Sequence, residues 1–243
     1  VMKTLVIGDI HGRSNWKDIL AAHPDAKRVI FMGDYFDSFD ISGTEQLYNF
    51  NEIIRFKEET DKEVIMLVGN HDHHYMDIGE TYSGYQAVMQ WDFKDALKKN
   101  MNYLQIAYLL DDVLFTHAGV SPVWMDITFD EWSHDTLVEQ LNELYQVRPT
   151  LFNFSHLGWD PSGDSVEQGP MWIRPRSLMS SNKGDDGLKN HFRQVVGHTQ
   201  VNNISDSFKA TEKAMGSRYY LVDAMDSGGY AIYENEELKP IQL

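Results

Sequence analysis

The sequence predicts an α/β protein. Short apolar runs of β type recur along its 243 residues, and several are followed by apolar residues at helical spacing. Five of these runs stop at clusters of Asp, His, Asn and Gly. Strand ends are where α/β proteins gather site residues from distant stretches of chain, so the five clusters predict one shared site.

Taken in order, Lys3–Ile7 runs into Gly8-Asp9-Ile10-His11-Gly12, and Ser14–Ala22 follows with Trp16, Ile19 and Leu20 at helical spacing. Arg28–Met32 runs into Gly33-Asp34-Tyr35-Phe36-Asp37. Ser42-Gly43-Thr44-Glu45 reads as a capping box ahead of Leu47, Phe50, Ile53 and Ile54, predicting a helix to about Glu58. Glu63–Val68 leads to Gly69-Asn70-His71-Asp72. The stripe Tyr85, Val88, Met89, Phe93, Ala96, Leu97 predicts another helix, closed by Lys98-Lys99-Asn100. Tyr103–Leu110 and Val113–Thr116 read as paired strands around Asp111-Asp112, the second ending at His117-Ala118-Gly119.

Beyond residue 120 the pattern changes. A helix is expected over Asp130–Tyr145, with Leu137, Val138, Leu141, Leu144 and Tyr145 on one face. From Arg148 to Gly187 the chain is rich in Gly, Pro, Ser and Asp and includes Trp159 and Trp172. Phe192–Val196 then runs into Gly197-His198-Thr199, and Tyr219–Asp223, Gly229–Tyr233 and Leu238–Gln242 read as a strand with a closing hairpin. The alternation implies βαβ units feeding a central sheet. A single domain over 1–243 is expected, with 121–190 as a cap or insert, because a long irregular stretch inside a domain usually serves function and this one returns straight into Gly197-His198.

Composition narrows the function classes. A hydrophobic fraction of 42% is that of a folded globular protein. The net charge of −16 repels nucleic-acid backbones and anionic membranes, so neither is an expected partner. Absence of cysteine removes disulfides, thiolate ligands and a cysteine nucleophile. The most apolar later stretch, Ile106–Phe115, is broken by Asp111-Asp112 and cannot span a bilayer. No signal peptide is visible, and a soluble cytoplasmic protein is expected. A phosphorylated substrate stays compatible with this charge, because a metal centre reverses the local field.

The strand-end clusters carry metal-ligand chemistry. Asp9-x-His11 places two ligands on one side of an extended segment. Imidazole with carboxylate suits Mn, Fe, Zn or Ni better than Ca. Asp34 adds a carboxylate, Asn70 a neutral amide oxygen, and His117 and His198 complete a mixed set. One ion cannot use all six and stay reactive, whereas two ions sharing a carboxylate can.

These motifs, in this order, resemble the calcineurin-like metallophosphoesterases, and more narrowly the bacterial and phage branch of the phosphoprotein-phosphatase family. The resemblance covers residues 3–120 and 192–234. It implies a four-layer α-β-β-α sandwich with site loops at the C-terminal ends of the strands. It also implies two divalent ions, manganese first, with iron, zinc or nickel as alternatives. Asp9, His11 and Asp34 would hold the first ion, Asp34 would bridge, and Asn70, His117 and His198 would hold the second. His71 would be the general acid with Asp37 orienting its ring, and a carboxylate beside an imidazole does raise its pKa.

The activity so implied is hydrolysis of a phosphomonoester, in a phosphoprotein or a small molecule, by attack of a metal-bridging hydroxide. A dinucleoside polyphosphate or cyclic-nucleotide hydrolase is the alternative, and a non-catalytic scaffold of the same fold a remote one. Against the scaffold, every ligand position is filled, and Asp9, Asp34 and Asp37 would repel one another without cations. Eukaryotic-type members carry Arg directly after the second Asp of Gly-Asp-x-x-Asp, where this chain has Ser38. Met171-Trp172-Ile173-Arg174-Pro175-Arg176 resembles the Trp-x-Arg segment of bacterial members, making Arg174 the first candidate for a phosphate clamp and Arg13 and Arg176 secondary ones. His73 and His74 read as non-ligands with at least one turned to water, Tyr85 as core, and Gly228-Gly229 as a turn.

Overall fold

Two sheets, rather than one central sheet, organise the chain. The computed structural model describes residues 2–158, 160–184, 187–216 and 218–243, so Trp159 lies outside the described residues. In chain order the elements are β1 (Thr4–Ile7), α1 (Trp16–Ala22), β2 (Arg28–Phe31), α2 (Gly43–Glu59), β3 (Glu63–Leu67), the single turn α3 (Asn70–His73), α4 (Gln90–Lys99), β4 (Leu104–Gln105), β5 (Ala107–Leu110) and β6 (Val113–Thr116). There follow α5 (Pro122–Thr128), α6 (Leu137–Val147), α7 (Pro175–Ser181), β7 (Arg193–Val196), α8 (Ile204–Met215), β8 (Tyr219–Leu221), β9 (Gly229–Glu234) and β10 (Glu237–Gln242).

The larger sheet has the order β10-β9-β1-β2-β3-β4 and the smaller one β5-β6-β7-β8. Strands β1 to β4 run parallel, as do β6, β7 and β8. Their C-terminal ends therefore converge, and the five site clusters sit there.

Side-chain alternation explains the layering. In β1, Val6 faces the smaller sheet while Leu5 and Ile7 join the helix-side core; in β2, Ile30 and Met32 face inward while Val29 and Phe31 face the helices. From the smaller sheet Val113, Phe115, Val195, Tyr220 and Val222 meet this inner face. Helices α1, α2 and α4 cover the larger sheet through Ile19, Phe50, Ile53 and Phe93. Leu137 and Leu141 of α6 cluster with Leu114, and Leu178 of α7 packs with Val196 and Leu221. The result is the expected α-β-β-α sandwich.

Several elements differ from the sequence expectation. Tyr103–Leu110 is not one strand: β4 extends the larger sheet, and after Ile106 the chain crosses to the smaller sheet as β5. The Asn142 side chain fixes that crossing, accepting from both Ile106 N and Ala107 N. The stripe from Tyr85 is helical only from Gln90, behind a short 3-10 turn that leaves Val88 93% exposed. The expected helix over Asp130–Tyr145 begins at Leu137. Helix α8 was not anticipated, although Asn203 caps it by accepting from Asp206 N and Ile204, Phe208 and Thr211 form its buried stripe. Gly228 does form a turn, in the left-handed conformation.

Candidate metal centre

Four of the expected site residues adopt positive φ: His11 (43°), Asp34 (54°), Asp37 (69°) and His198 (66°). Such backbone is costly for residues other than glycine and persists only where the surroundings impose it. Here the chain turns sharply off each strand, so consecutive loops meet instead of diverging. Two glycines allow the meeting to be close. A Cβ on Gly69 would run into the Asp34 carboxylate, and one on Gly197 into that of Asp9.

The turned side chains converge on one point. Asp9 and Asp34 are each 1% exposed, and their carboxylates gather with His117 so that one ligating atom of each lies within 4.8 Å of the others. His11 Nε2 lies 3.9 Å from Asp9 Oδ2 and 3.7 Å from Asp34 Oδ2, and His117 Nε2 lies 3.2 Å from Asp34 Oδ2. Asn70 Oδ1 sits 3.1 Å from both His117 Nε2 and His198 Nδ1. All six expected ligands are thus brought together.

Each histidine is oriented the same way. His11 Nδ1 donates to Phe36 O at 2.6 Å, His117 Nδ1 to Met32 O at 2.8 Å, and His198 Nε2 to Trp172 O at 3.0 Å. A ring N–H tied to a backbone carbonyl fixes the tautomer and aims the other nitrogen's lone pair, which is how metal-ligating histidines are held. Burial and the nearby His117 keep His198 well below the usual imidazole range, so its Nδ1 carries no proton. It nevertheless faces the acceptor Asn70 Oδ1 at 3.1 Å. A cation held between them would take up both lone pairs.

Charge makes the same demand. Burial opposes a charge on His117, but Asp34 and Asp9 outweigh it and lift the ring to about 10. Burial and Asp34 push Asp9 up to about 7. Protons here balance buried charge in the role divalent ions would take, so metal binding would release them. Asp34 stays well below the usual carboxylate range against its burial, because His117 and His71 face it.

His71 stands apart from the ligand set. Its Nδ1 donates to Asp37 Oδ2 at 2.8 Å, and its backbone N–H donates to Asp34 Oδ1 at 2.9 Å. Burial lowers this imidazole, yet Asp34 and Asp37 outweigh it and raise it to about 9. A protonated imidazole therefore lies beside the carboxylates at neutral pH. Sequence reasoning missed its supports. His74 Nε2 lies 2.6 Å from Asp37 Oδ2, and Tyr75 OH donates to Asp37 Oδ1 at 2.5 Å.

The expectation that His73 or His74 turns to water is wrong. Both are buried; His73 packs between Tyr145 OH and Asn153 Oδ1 at 3.0 and 2.9 Å. Asp72, in the same motif as Asn70 and His71, has a structural role. Its carboxylate accepts from Gly69 N, Asp34 N and Tyr35 N, and so ties two site loops together. Tyr85, expected in a helical core stripe, precedes the helix and stacks half-buried on Tyr75.

A family model for calcineurin-like phosphoesterases matches residues 2–208. The chain belongs to that family. Among solved structures, a cold-active protein-tyrosine phosphatase of a psychrophilic Shewanella species is similar over 100% of this chain and 78% of its own, at 18% identity and a TM-score of 0.65. A protein serine/threonine phosphatase from Saccharomyces cerevisiae matches 100% of this chain and 80% of its own, at 14% identity and a TM-score of 0.55. A metallophosphoesterase from Sphaerobacter thermophilus matches 100% and 88%, at 12% identity and a TM-score of 0.51. At such identities these structures support the fold. Membership makes the chain a metal-dependent phosphoester hydrolase, and the residues above fit the dinuclear centre on which the family depends.

Around the centre this calcineurin-like phosphoesterase has a cavity of about 550 Å³, lined by Asp9, His11, Asp34, Asn70, His71, His198 and Arg174 among others. Arg174 Nη1 donates to His198 O and Thr199 Oγ1 at 3.1 and 3.0 Å, anchoring its guanidinium at the cavity wall. The other two arginines lie elsewhere. Arg13 pairs with Asp226 at 2.5 Å and donates to Asp9 O, while the Arg176 side chain is 89% exposed beside Asp164; neither lines the cavity. Ser38, where eukaryotic-type members have arginine, accepts from Asp40 N and Ile41 N and stiffens its own loop. Asp223, not anticipated, also lines the cavity; burial and Asp9 push it well above the usual carboxylate range. Among the described residues no helix is long and apolar enough to cross a membrane.

Proposed function

We propose that this phosphoesterase hydrolyses phosphomonoesters at the carboxylate–histidine centre, with His71 as general acid. The observation that carries the reading is the common orientation of His11, His117 and His198, each with one ring nitrogen on a backbone carbonyl and the other aimed at Asp34 or Asn70. In this reading Asp9, His11 and Asp34 hold one divalent ion and Asn70, His117 and His198 a second, with Asp34 shared. Bound there, the ions supply a water acidified to near neutral pH and neutralise charge on the phosphoryl group.

The chain's own residues do the rest. Arg174 binds the non-bridging phosphate oxygens. As the bond from phosphorus to the leaving oxygen breaks, His71 gives that oxygen its proton, and Asp37 holds the ring in place. Among the described residues lining the cavity, Arg174 is the one Lys or Arg, against Asp9, Asp34 and Asp223. With the ions and Arg174 engaged by one phosphate, no further Lys or Arg among these residues remains for the additional phosphates of a dinucleoside polyphosphate, which favours a substrate with a single phosphate. Phe154, Pro161, Trp172 and Arg174 come from residues 121–190, which supports this stretch as the cap that shapes the substrate space of one domain.

A substrate panel with added Mn²⁺ tests the proposal. Phosphomonoesters should turn over at least tenfold faster than dinucleoside polyphosphates and bis-esters, and purified protein should bind close to two equivalents of metal. Preference for a polyphosphate or bis-ester would sink the monoester reading.

A further inference from the structure

One wall of the cavity is aromatic. Tyr82, Phe154 and Trp172 pack edge to face, with Tyr82–Trp172 centroids 4.4 Å apart at 76° and Phe154–Trp172 centroids 5.2 Å apart at 90°. Trp172 in turn meets the His198 ring at 5.7 Å and 83°, so the wall reaches the metal ligands. At the rim stands Phe39, 84% exposed and also lining the cavity.

What sets Phe39 apart from other exposed apolar side chains is that it lines this cavity on a loop fixed by hydrogen bonds. Ser38 Oγ accepts from Asp40 N and Ile41 N, Ser38 N donates to Gln46 Oε1, and Ser38 O accepts from Gln46 Nε2 and Gln86 Nε2. The backbone on both sides of Phe39 is thereby pinned while its ring is presented at the mouth. The other exposed side chains that line the cavity among the described residues, Ser83, Pro161 and Gln200, are neutral.

We infer that the phosphorylated substrate carries an aromatic ring, held between Phe39 and the Tyr82–Phe154–Trp172 wall while its one phosphate lies at the metal centre and Arg174. This rests on the phosphomonoesterase reading above and adds the substrate class to it. An uncharged ring suits the site because the described residues lining the cavity offer apolar faces and, beyond Arg174, no Lys or Arg for a second phosphate. Aromatic pairs contribute beyond buried area through their edge-to-face geometry, which aliphatic groups of the same size do not gain.

The test compares 2-phenylethyl phosphate with 2-cyclohexylethyl phosphate, both esters of primary alcohols with eight carbons, so that leaving-group chemistry and size are matched. With Mn²⁺ the phenyl compound should show a kcat/KM about tenfold higher, expressed in KM. Calorimetric binding of 2-phenylethylphosphonate against 2-cyclohexylethylphosphonate should show the same ratio without turnover. Phe39→Ala, at an exposed position that the fold tolerates, should reduce both ratios to about two or less. Equal constants for the paired ligands, or a ratio unmoved by Phe39→Ala, would overturn the inference. Turnover of neither phosphate beside turnover of a bis-ester would instead overturn the monoester reading on which it stands. The source of the ring follows from the KM of a phosphotyrosyl peptide against that of adenosine monophosphate; the lower value identifies it, and values for both above that of 2-cyclohexylethyl phosphate count against an aromatic substrate.

Discussion

At His71 one nitrogen is committed to Asp37 and the other faces the cavity lined by the metal ligands. An acid placed there matters in proportion to how badly the leaving oxygen needs a proton. His71→Asn should therefore lose at least tenfold more rate on an alkyl phosphate than on p-nitrophenyl phosphate while keeping its metal. Equal losses on the two substrates would remove His71 from the acid role. Asp34 should behave differently, since both groups of ligands approach it. Asp34→Asn should weaken both ions together in a metal titration, whereas His198→Ala should weaken one. Two sites of unchanged affinity in Asp34→Asn would end the bridging assignment.

His73 gives a residue-scale prediction about stability. Burial lowers its imidazole from 6.5 to about 4, so the folded chain keeps it neutral while the unfolded chain takes up a proton below 6.5. The stabilisation is complete above pH 6.5 and is lost as pH falls toward 4, by up to about 3 kcal/mol. Urea unfolding of wild type and His73→Gln across that window should show a steeper acid loss in the wild type. Parallel curves would contradict it.

Among the elements, α2 shows local and tertiary rules agreeing. Ser42 Oγ accepts from Glu45 N and the Glu45 carboxylate accepts from Ser42 N, so the capping box read from the sequence is present. Ser42→Ala should cost about 1 kcal/mol in denaturant unfolding and leave metal binding unchanged; a loss of metal would mean that the cap also positions the site. Strand expectations failed where pairing was decided by other parts of the chain. Nothing local in Tyr103–Leu110 says that it divides between two sheets; the division depends on Asn142, more than 30 residues on, and on which edge each half meets. Helix α8 carries its own local signals, the Asn203 cap and the stripe of Ile204, Phe208 and Thr211, and is legible from them.

For the whole molecule, metal and fold should be linked. Buried carboxylates and histidines from both sheets meet at one point, and cations bound there favour the native state alone. Saturating Mn²⁺ should raise Tm in a dose-dependent way, by about 3 kcal/mol of stability at a hundredfold excess over Kd, and chelation should reverse it. A Tm indifferent to both would show that the centre folds without need of ions. The acidic surface, at a net charge of −16, argues that an anionic substrate is drawn in by the centre and Arg174 and not by the general field.

The sequence by itself determined the chemistry. Metal binding demands particular residue types at the ends of particular strands, so Asp9, His11, Asp34, Asn70, His117 and His198 are legible in the sequence as a candidate ligand set. Only the tertiary structure decided how those residues are held and what surrounds them. That Asp72 ties two loops, that His74 and Tyr75 back Asp37, and that Phe39 lines the same cavity as Trp172 depend on how distant segments come together. A motif records which atoms a reaction needs, whereas second partners and cavity walls are recruited from wherever the chain passes. No local pattern encodes that choice.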